Sequence, residues 1–543
     1  MAFIIQYTRL RKQVLQQLQE VNAMEEKDEV AQIPADTDAT KESQPGKPYN
    51  PSRYCQISGI TLEEDCNGEQ YFRVGWAGPD DQFNPRNWTT TRRLFATLSV
   101  CSIALVATMA SSIDAAVLTP ASKTFGVAEV VESLATGIYL VGFGVGSVIA
   151  SPLSEMVGRY PVYLGALSLF GAWLLGAALA PNIGAQIVFR FLAGLSSSAP
   201  LTVAGGSISD VWDTLEKTFA FPFFAIQGFG GPCLGPVIGA YIGESPHIDW
   251  RWTEWIMLIL NGLIMALLFL FKRETFGPQI LYYKARFFRQ ATGDARFKTE
   301  LEASGAVSVS TTLKRHFSRP WILAIEPIVI FMTFYLTVVY IVLFTFLDGY
   351  PYIFGRIHHI NDGLANICFL GLWIGILMSM LLVPILYKRT QKQLKRDGDD
   401  GSGKVLNRES RLFFAMIGAP ALPIGLFWMA WTDFSSISIW SPLIASVAIG
   451  FSNICIFMSA YMYVIDSYLH YAASALTFTA LVRYMAAGGM TVVGVPMYEN
   501  LGVHWALTVL AIISVVATPI PYVLYFWGPN LRKRSKWATA IST

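Results

Sequence analysis

From residue 93 onward the chain alternates long apolar runs with polar connections, most of them short. Each run holds about 20 residues, enough at ~1.5 Å per residue to cross ~30 Å of hydrocarbon as a helix. Twelve such runs fall at 93–118, 130–152, 160–180, 185–209, 219–242, 253–272, 321–346, 364–387, 411–431, 441–463, 472–496 and 506–527. The one long connection, 273–320, lies between the sixth and seventh and divides the set six and six. The pattern predicts an all-α integral membrane protein whose twelve transmembrane helices form two pseudo-symmetric six-helix bundles, 91–272 and 321–530, with a linker at 273–320 and a tail at 531–543.

Upstream the pattern changes. Phe3, Ile4, Tyr7, Leu10, Val14, Leu15, Leu18 and Val21 recur at helical spacing beside Arg9, Arg11 and Lys12, as in a helix lying on a membrane surface or one that frays without a role. Residues 23–90 are polar and Pro-rich with little periodicity, so 1–90 reads as a largely disordered tail. It is not a secretory signal, because the apolar run is short and charges follow it.

Composition agrees with lipid as a partner: 53% of residues are hydrophobic and 14% charged, where a soluble chain has about a quarter charged. The net charge of +2 gives no basic field for nucleic acid. Lys and Arg nevertheless favour one side. With both termini in the cytoplasm, that side holds Arg159, Lys217, the Lys272–Arg319 and Lys388–Arg411 series and Arg532–Lys536, against Lys123, Arg251 and Arg356 outside. This topology predicts no glycan on the Asn87-Trp88-Thr89 triplet. The six cysteines show no metal-ligand spacing and read as reduced, buried thiols. With no nucleophile, metal cluster or phosphate-binding loop, neither an enzyme nor a cofactor nor a metal site is expected.

Charged residues inside apolar runs are expensive and face a partner, a cavity or a pathway. Arg190 lies near the start of span four, Glu326 one to two turns into span seven, and Arg483 near the middle of span eleven. Asp114 and Asp348 come where spans one and seven run out, either as wet interface or as functional groups. Glu326, directly before Pro327, is either a helix-end residue or a proton site. In span five, Gly231, Gly235 and Gly239 form one bare stripe with Pro232 and Pro236 between them, which reads as a hinge or sliding contact, or as ordinary tight packing. The loop before span three brings Glu155, Gly158 and Arg159 together, and the loop before span nine brings Glu409 and Arg411 together. Asp210 and Asp466 end spans four and ten. Such pairing is what a parallel repeat of two halves produces.

These motifs together resemble a fungal major facilitator superfamily transporter of the twelve-span drug:proton antiporter type, over nearly everything from Gly78 to the carboxyl terminus. Pro152-Leu153-Ser154-Glu155 with Gly158-Arg159 looks like the loop motif after span two, with Glu155 in place of the usual aspartate and Tyr160 where a second basic residue is common. Arg190 with Gly194 is similar to a span-four motif implicated in proton coupling, and Gly231 to Gly239 resembles the antiporter motif of span five. Trp250 to Trp255, Arg273 to Pro278, Glu326-Pro327, Tyr350-Pro351, Ala472 to Ala475 and Arg483 resemble other pieces of the branch. The resemblance implies a proton-coupled exporter of amphipathic compounds such as drugs, fungal secondary metabolites or polyamines. It further implies a monomer in the plasma membrane, with the vacuolar membrane as the alternative. Arg190, Glu326, Asp114, Arg483 and Asp348 are the expected substrate or proton residues, and Tyr335, Tyr340, Phe344 and Tyr461 the expected cavity wall. The rival readings are an importer of a nutrient, organic acid or polyamine, and a non-transporting membrane sensor.

Overall fold

The structure is a computed structural model and describes residues 1–31, 51–64, 68–213, 215–303, 318–399 and 408–538. Cys66, Asn407, linker residues 304–317 and tail residues 539–543 lie outside the described residues. Among the described residues, eleven apolar helical segments are long enough to cross a bilayer. Ten are spans one to ten: Thr90–Phe125, Glu129–Val157, Arg159–Ala178, Ile183–Val211, Lys217–Glu244, Trp252–Phe271, Pro327–Ile357, Asp362–Gln393, Arg408–Thr432 and Trp440–Tyr468. The last segment, Ala472–Arg534, has 63 residues, far more than one crossing needs. It breaks at Gly502, whose φ of 73° lies in the left-handed region open to glycine, and so supplies spans eleven and twelve. The fold is therefore the twelve-helix, two-bundle membrane architecture.

Close backbone approach holds each bundle together, and the same device recurs in both. A side chain at Gly194 of span four would strike the Tyr139 carbonyl of span two, and one at Gly142 would strike the Phe191 carbonyl. In the second bundle, Gly450 of span ten faces the Leu372 carbonyl of span eight, and Gly375 faces that of Val447. Between bundles, Gly137 and Gly488 bring spans two and eleven together backbone to backbone. Without a hydrophobic drive between helices in lipid, such small-residue contacts supply the packing.

Span seven differs from expectation. It begins at Pro327 rather than residue 321, because the residue before a proline is pushed out of the helical region, and Glu326 takes φ −69° and ψ 126°. Glu326 therefore precedes the span and accepts from the Tyr468 hydroxyl at 3.4 Å.

The amino-terminal segment also departs from the expected flexible tail. A helix, α1 (Ala2–Ala31), and two strands, β1 (Ile60–Glu64) and β2 (Gln70–Val74), pack with the helix after span six, α2 (Gly277–Thr292), and β3 (Phe297–Lys298). β1 and β2 pair antiparallel with Ile60 opposite Val74, and β3 joins β2 in parallel with Phe72 opposite Phe297. Val14, Leu18 and Val21 of α1 bury against Phe72, Phe288 and Phe297. Most of the apolar face of α1 is thus spent on protein, while Ile4 and Leu15 stay exposed. Gln6 clips the chain end in place: its Oε1 accepts from the Glu274 amide at 2.9 Å and its Nε2 donates to the Glu274 carbonyl at 3.2 Å.

Candidate functional site

Three sets of polar residues lie within the bundles. The first is in the first bundle, where Arg190 of span four is fully buried and ion-pairs with Asp114 of span one. Its Nη1 lies 3.4 Å from Glu254 Oε1 of span six and donates to the Ala110 carbonyl at 3.0 Å. The guanidinium stands 5.1 Å from the ring of Tyr139, whose hydroxyl sits 2.8 Å from the Ala107 carbonyl and 2.7 Å from Ser197 Oγ. Nearby, Gln186 donates to Glu132 at 3.0 Å, and both are buried. Asp114, at 4% exposure, is no wet-interface carboxylate. Two carboxyls thus share one guanidinium in a site without water-facing surface.

The second set surrounds Arg483 of span eleven. Its guanidinium lies 4.6, 4.8, 5.1 and 5.5 Å from the rings of Tyr340, Tyr484, Tyr461 and Phe457, a cation held by aromatic faces. Arg483 lines a cavity of about 370 Å³ between the bundles, together with Phe143, Leu201, Tyr461, Leu476 and Tyr484. The cavity runs from this level toward the end of the molecule that carries both termini, where Ser154, Glu155, Asp210 and Lys217 line it. At the opposite end the bundles are tied: Glu244, the last residue of span five, accepts from the Gly363 amide at 2.6 Å. Of the aromatics expected in the wall, Tyr461 lines the cavity, while Tyr340 and Phe344 line a small void beneath it. Tyr335 lines neither, and its buried hydroxyl has no hydrogen-bond partner among the described residues.

The third set closes the terminal end of each bundle. Arg159 pairs with Asp210 at 3.2 Å and donates to Ser154 Oγ at 2.6 Å, while Arg411 pairs with Asp466 at 2.7 Å and donates to Thr218 Oγ1 of the other bundle at 2.8 Å. Glu409 ion-pairs with Arg532. In the second loop Glu409 and Arg411 thus find different partners, and the equivalent Arg–Asp pairs are the ones the two halves share. Gly158, at φ 100°, leaves room for the buried Glu274, whose carboxylate accepts from the amides of Arg159 and Tyr160 at 3.1 Å and of Thr275 and Phe276 at 2.9 Å. Tyr160, where a second basic residue was the common choice, instead stacks on Phe3 of α1 at 4.3 Å. Beside it, burial pushes the Lys272 ammonium down to about 7 against the opposing pull of Glu274, and the amine stands 4.1 Å from the Tyr163 ring.

The remaining sequence candidates separate. Asp348 is buried in span seven against Gly494, its Oδ2 without a hydrogen bond among the described residues, so the wet-interface alternative fails for it too. The stripe of Gly231, Gly235 and Gly239 packs on Thr108, Ser112 and Ile113 of span one, and span five stays helical through Pro232 and Pro236. It is an intra-bundle contact rather than a visible hinge. Of the cysteines, Cys101, Cys233, Cys368 and Cys455 are buried and free, whereas Cys55 is exposed. Sequence reasoning gave no role to Glu254, Glu132 or Glu274, which sit at the edges of apolar runs, although Glu254 and Glu274 lie within the Trp250–Trp255 and Arg273–Pro278 motifs. Their signal was an acid within a turn of a run boundary.

Two helical bundles around a central cavity, with Arg483 at one level and Glu155, Asp210 and Lys217 toward the terminal end, define a membrane transporter. The chain belongs to the Major Facilitator Superfamily, whose family model matches residues 100–491. It is 47% identical over 502 residues to the MFS-type transporter kojT of Aspergillus flavus, covering 91% of this chain and 88% of that one. To the uncharacterized transporter C530.02 of Schizosaccharomyces pombe it is 37% identical over 490 residues, covering 89% and 88%. Among solved structures it resembles the proton:xylose symporter XylE bound to 6-bromo-6-deoxy-D-glucose, with a TM-score of 0.59 at 13% identity, over 81% of this chain and 96% of that one. That likeness is one of fold.

Proposed function

We propose that this chain is a proton-coupled exporter of amphipathic organic compounds, with both termini in the cytoplasm. The observation that carries the reading is the buried Asp114–Arg190–Glu254 cluster. One guanidinium balances one carboxylate, so the second carboxyl is the group that takes up and releases a proton as the bundles move. A contiguous path leads from it to the cavity: Arg190 lies over Tyr139, Tyr139 stands 6.4 Å from Phe143, and Phe143 stands 4.5 Å from Tyr484, the neighbour of Arg483. Protonation that loosens the pull on Arg190 shifts Tyr139 and with it the cavity wall.

The Lys and Arg bias supports a cytoplasmic terminal end, which is the end toward which the cavity extends. Cargo then loads from inside, and inward proton flow drives it out. The span-five likeness to antiporters supports the direction.

The test is flux in liposomes carrying the full chain and an internal pH dye. With an imposed proton gradient, an amphipathic substrate should move opposite to protons. Glu254→Gln should bind substrate yet lose gradient-driven accumulation by about tenfold or more. Movement of proton and substrate in the same direction would establish an importer, and absence of flux in wild-type protein would favour the sensor reading.

A further inference from the structure

The buried arginines of this protein are not alike. Arg159, Arg190, Arg411 and Arg532 each pair with a carboxylate. Arg483 pairs with none among the described residues, although it is 1% exposed. Its Nε and Nη1 are buried and have no hydrogen-bond partner among the described residues. The four rings around it stabilise a cation through their faces, and the Tyr461 hydroxyl also interacts with the guanidinium, but Nε and Nη1 are left without an acceptor. A buried guanidinium with vacant donors is costly, and it is retained where an anion completes it.

The cavity supplies the place for that anion. Arg483 forms part of its wall, with Phe143, Tyr461 and Tyr484 beside it as flat apolar surfaces. The carboxylates of the wall, Glu155 and Asp210, belong to its mouth. Glu155 lies twelve residues along span two from Phe143, about 18 Å at the helical rise, and Asp210 is committed to Arg159. The inner end of the cavity is therefore positive, and the charge there is unspent.

We propose that the cavity takes its organic cargo as an anion with a planar or aromatic body, Arg483 holding the negative group by a forked hydrogen bond while the tyrosine rings pack on the body. This rests on the reading of the cavity as a substrate path. It assigns the pocket to organic acids and against polyamines and other cations, for which the inner end offers no carboxylate.

Two permanently charged probes of one shape test it: 2-naphthalenesulfonate and N,N,N-trimethyl-2-naphthylammonium, titrated against the full chain in nanodiscs. The sulfonate should bind at least roughly tenfold tighter than the ammonium, and Arg483→Gln should abolish that preference while Arg483→Lys keeps part of it. The wild-type comparison needs no variant to fold. An ammonium that binds as well or better, a sulfonate affinity unchanged in Arg483→Gln, or no sulfonate binding at millimolar concentration overturns the assignment. The two readings separate in liposomes: an ammonium that binds tighter and is carried against protons leaves transport standing and removes the anion, whereas sulfonate that binds at Arg483 and is never moved leaves the anion and removes transport.

Discussion

Arg190, Asp114 and Arg483 were conspicuous in the sequence because each interrupts an apolar run, where an ionised group costs a few kcal/mol. What the run could not reveal was pairing. Asp114 and Arg190 are 76 residues apart in the chain yet form one ion pair, and Glu254, hidden in a Trp-rich run start, completes the cluster. Nor did the pattern show that Arg483 has no carboxylate partner among the described residues, since pairing is a property of the packed bundle. Glu326 stands before span seven for a local reason: the proline after it bars the helical conformation at residue 326, whereas the apolar run starts earlier in the chain. Lys272 offers a residue-scale prediction. Folded, its amine titrates at about 7 instead of 10.5, so between those values the unfolded chain binds a proton that the folded chain does not, and stability contributed here rises with pH. Below about pH 7 both states are protonated and the contribution is flat. Lys272→Met should therefore melt higher than wild type at pH 7, by an amount that shrinks toward pH 10. A difference that stays constant across that range contradicts the burial.

At the scale of elements, the spans were legible because a helix crossing lipid must be long and apolar, a requirement that leaves little room for tertiary override. The small domain at the terminal end was not. Its core joins Val14, Leu18 and Val21 to Phe288 and Phe297, more than 200 residues away, and each half alone looks too polar to fold. Strands of five residues and of two carry almost no pattern of their own. The docking of α1 yields a prediction. Gln6 makes two hydrogen bonds to the Glu274 backbone and Phe3 stacks on Tyr160, so α1 pins the turn whose carboxylate caps span three. In a Phe3→Ala, Gln6→Ala double variant, amide exchange at residues 274–280 should quicken by roughly tenfold, with spans four and ten unaffected. Exchange unchanged there would mean that α1 merely rests on the surface.

For the whole molecule, the six-and-six division and the repeat were readable from loop lengths and from matching Asp210 and Asp466, and the structure gives the repeat a physical form in the Arg159–Asp210 and Arg411–Asp466 pairs. The state of the cavity was not readable, because opening depends on which of two weak sets of inter-bundle contacts is made. Here the Glu244–Gly363 contact ties one end, and at the other only Arg411 to Thr218 among the hydrogen bonds described above crosses between bundles. Alternating access requires these ends to exchange roles. The most direct measurement is pulsed electron-spin distance determination on two labelled pairs in nanodiscs: His247→Cys with Leu364→Cys at the tied end, and Asp213→Cys with Lys388→Cys at the terminal end, all four positions being exposed. On adding transported substrate or lowering pH, a population should appear in which the first distance lengthens and the second shortens. If both distances stay fixed, or both change in the same sense, the bundles do not rock about the cavity and the account of this protein as a carrier is wrong.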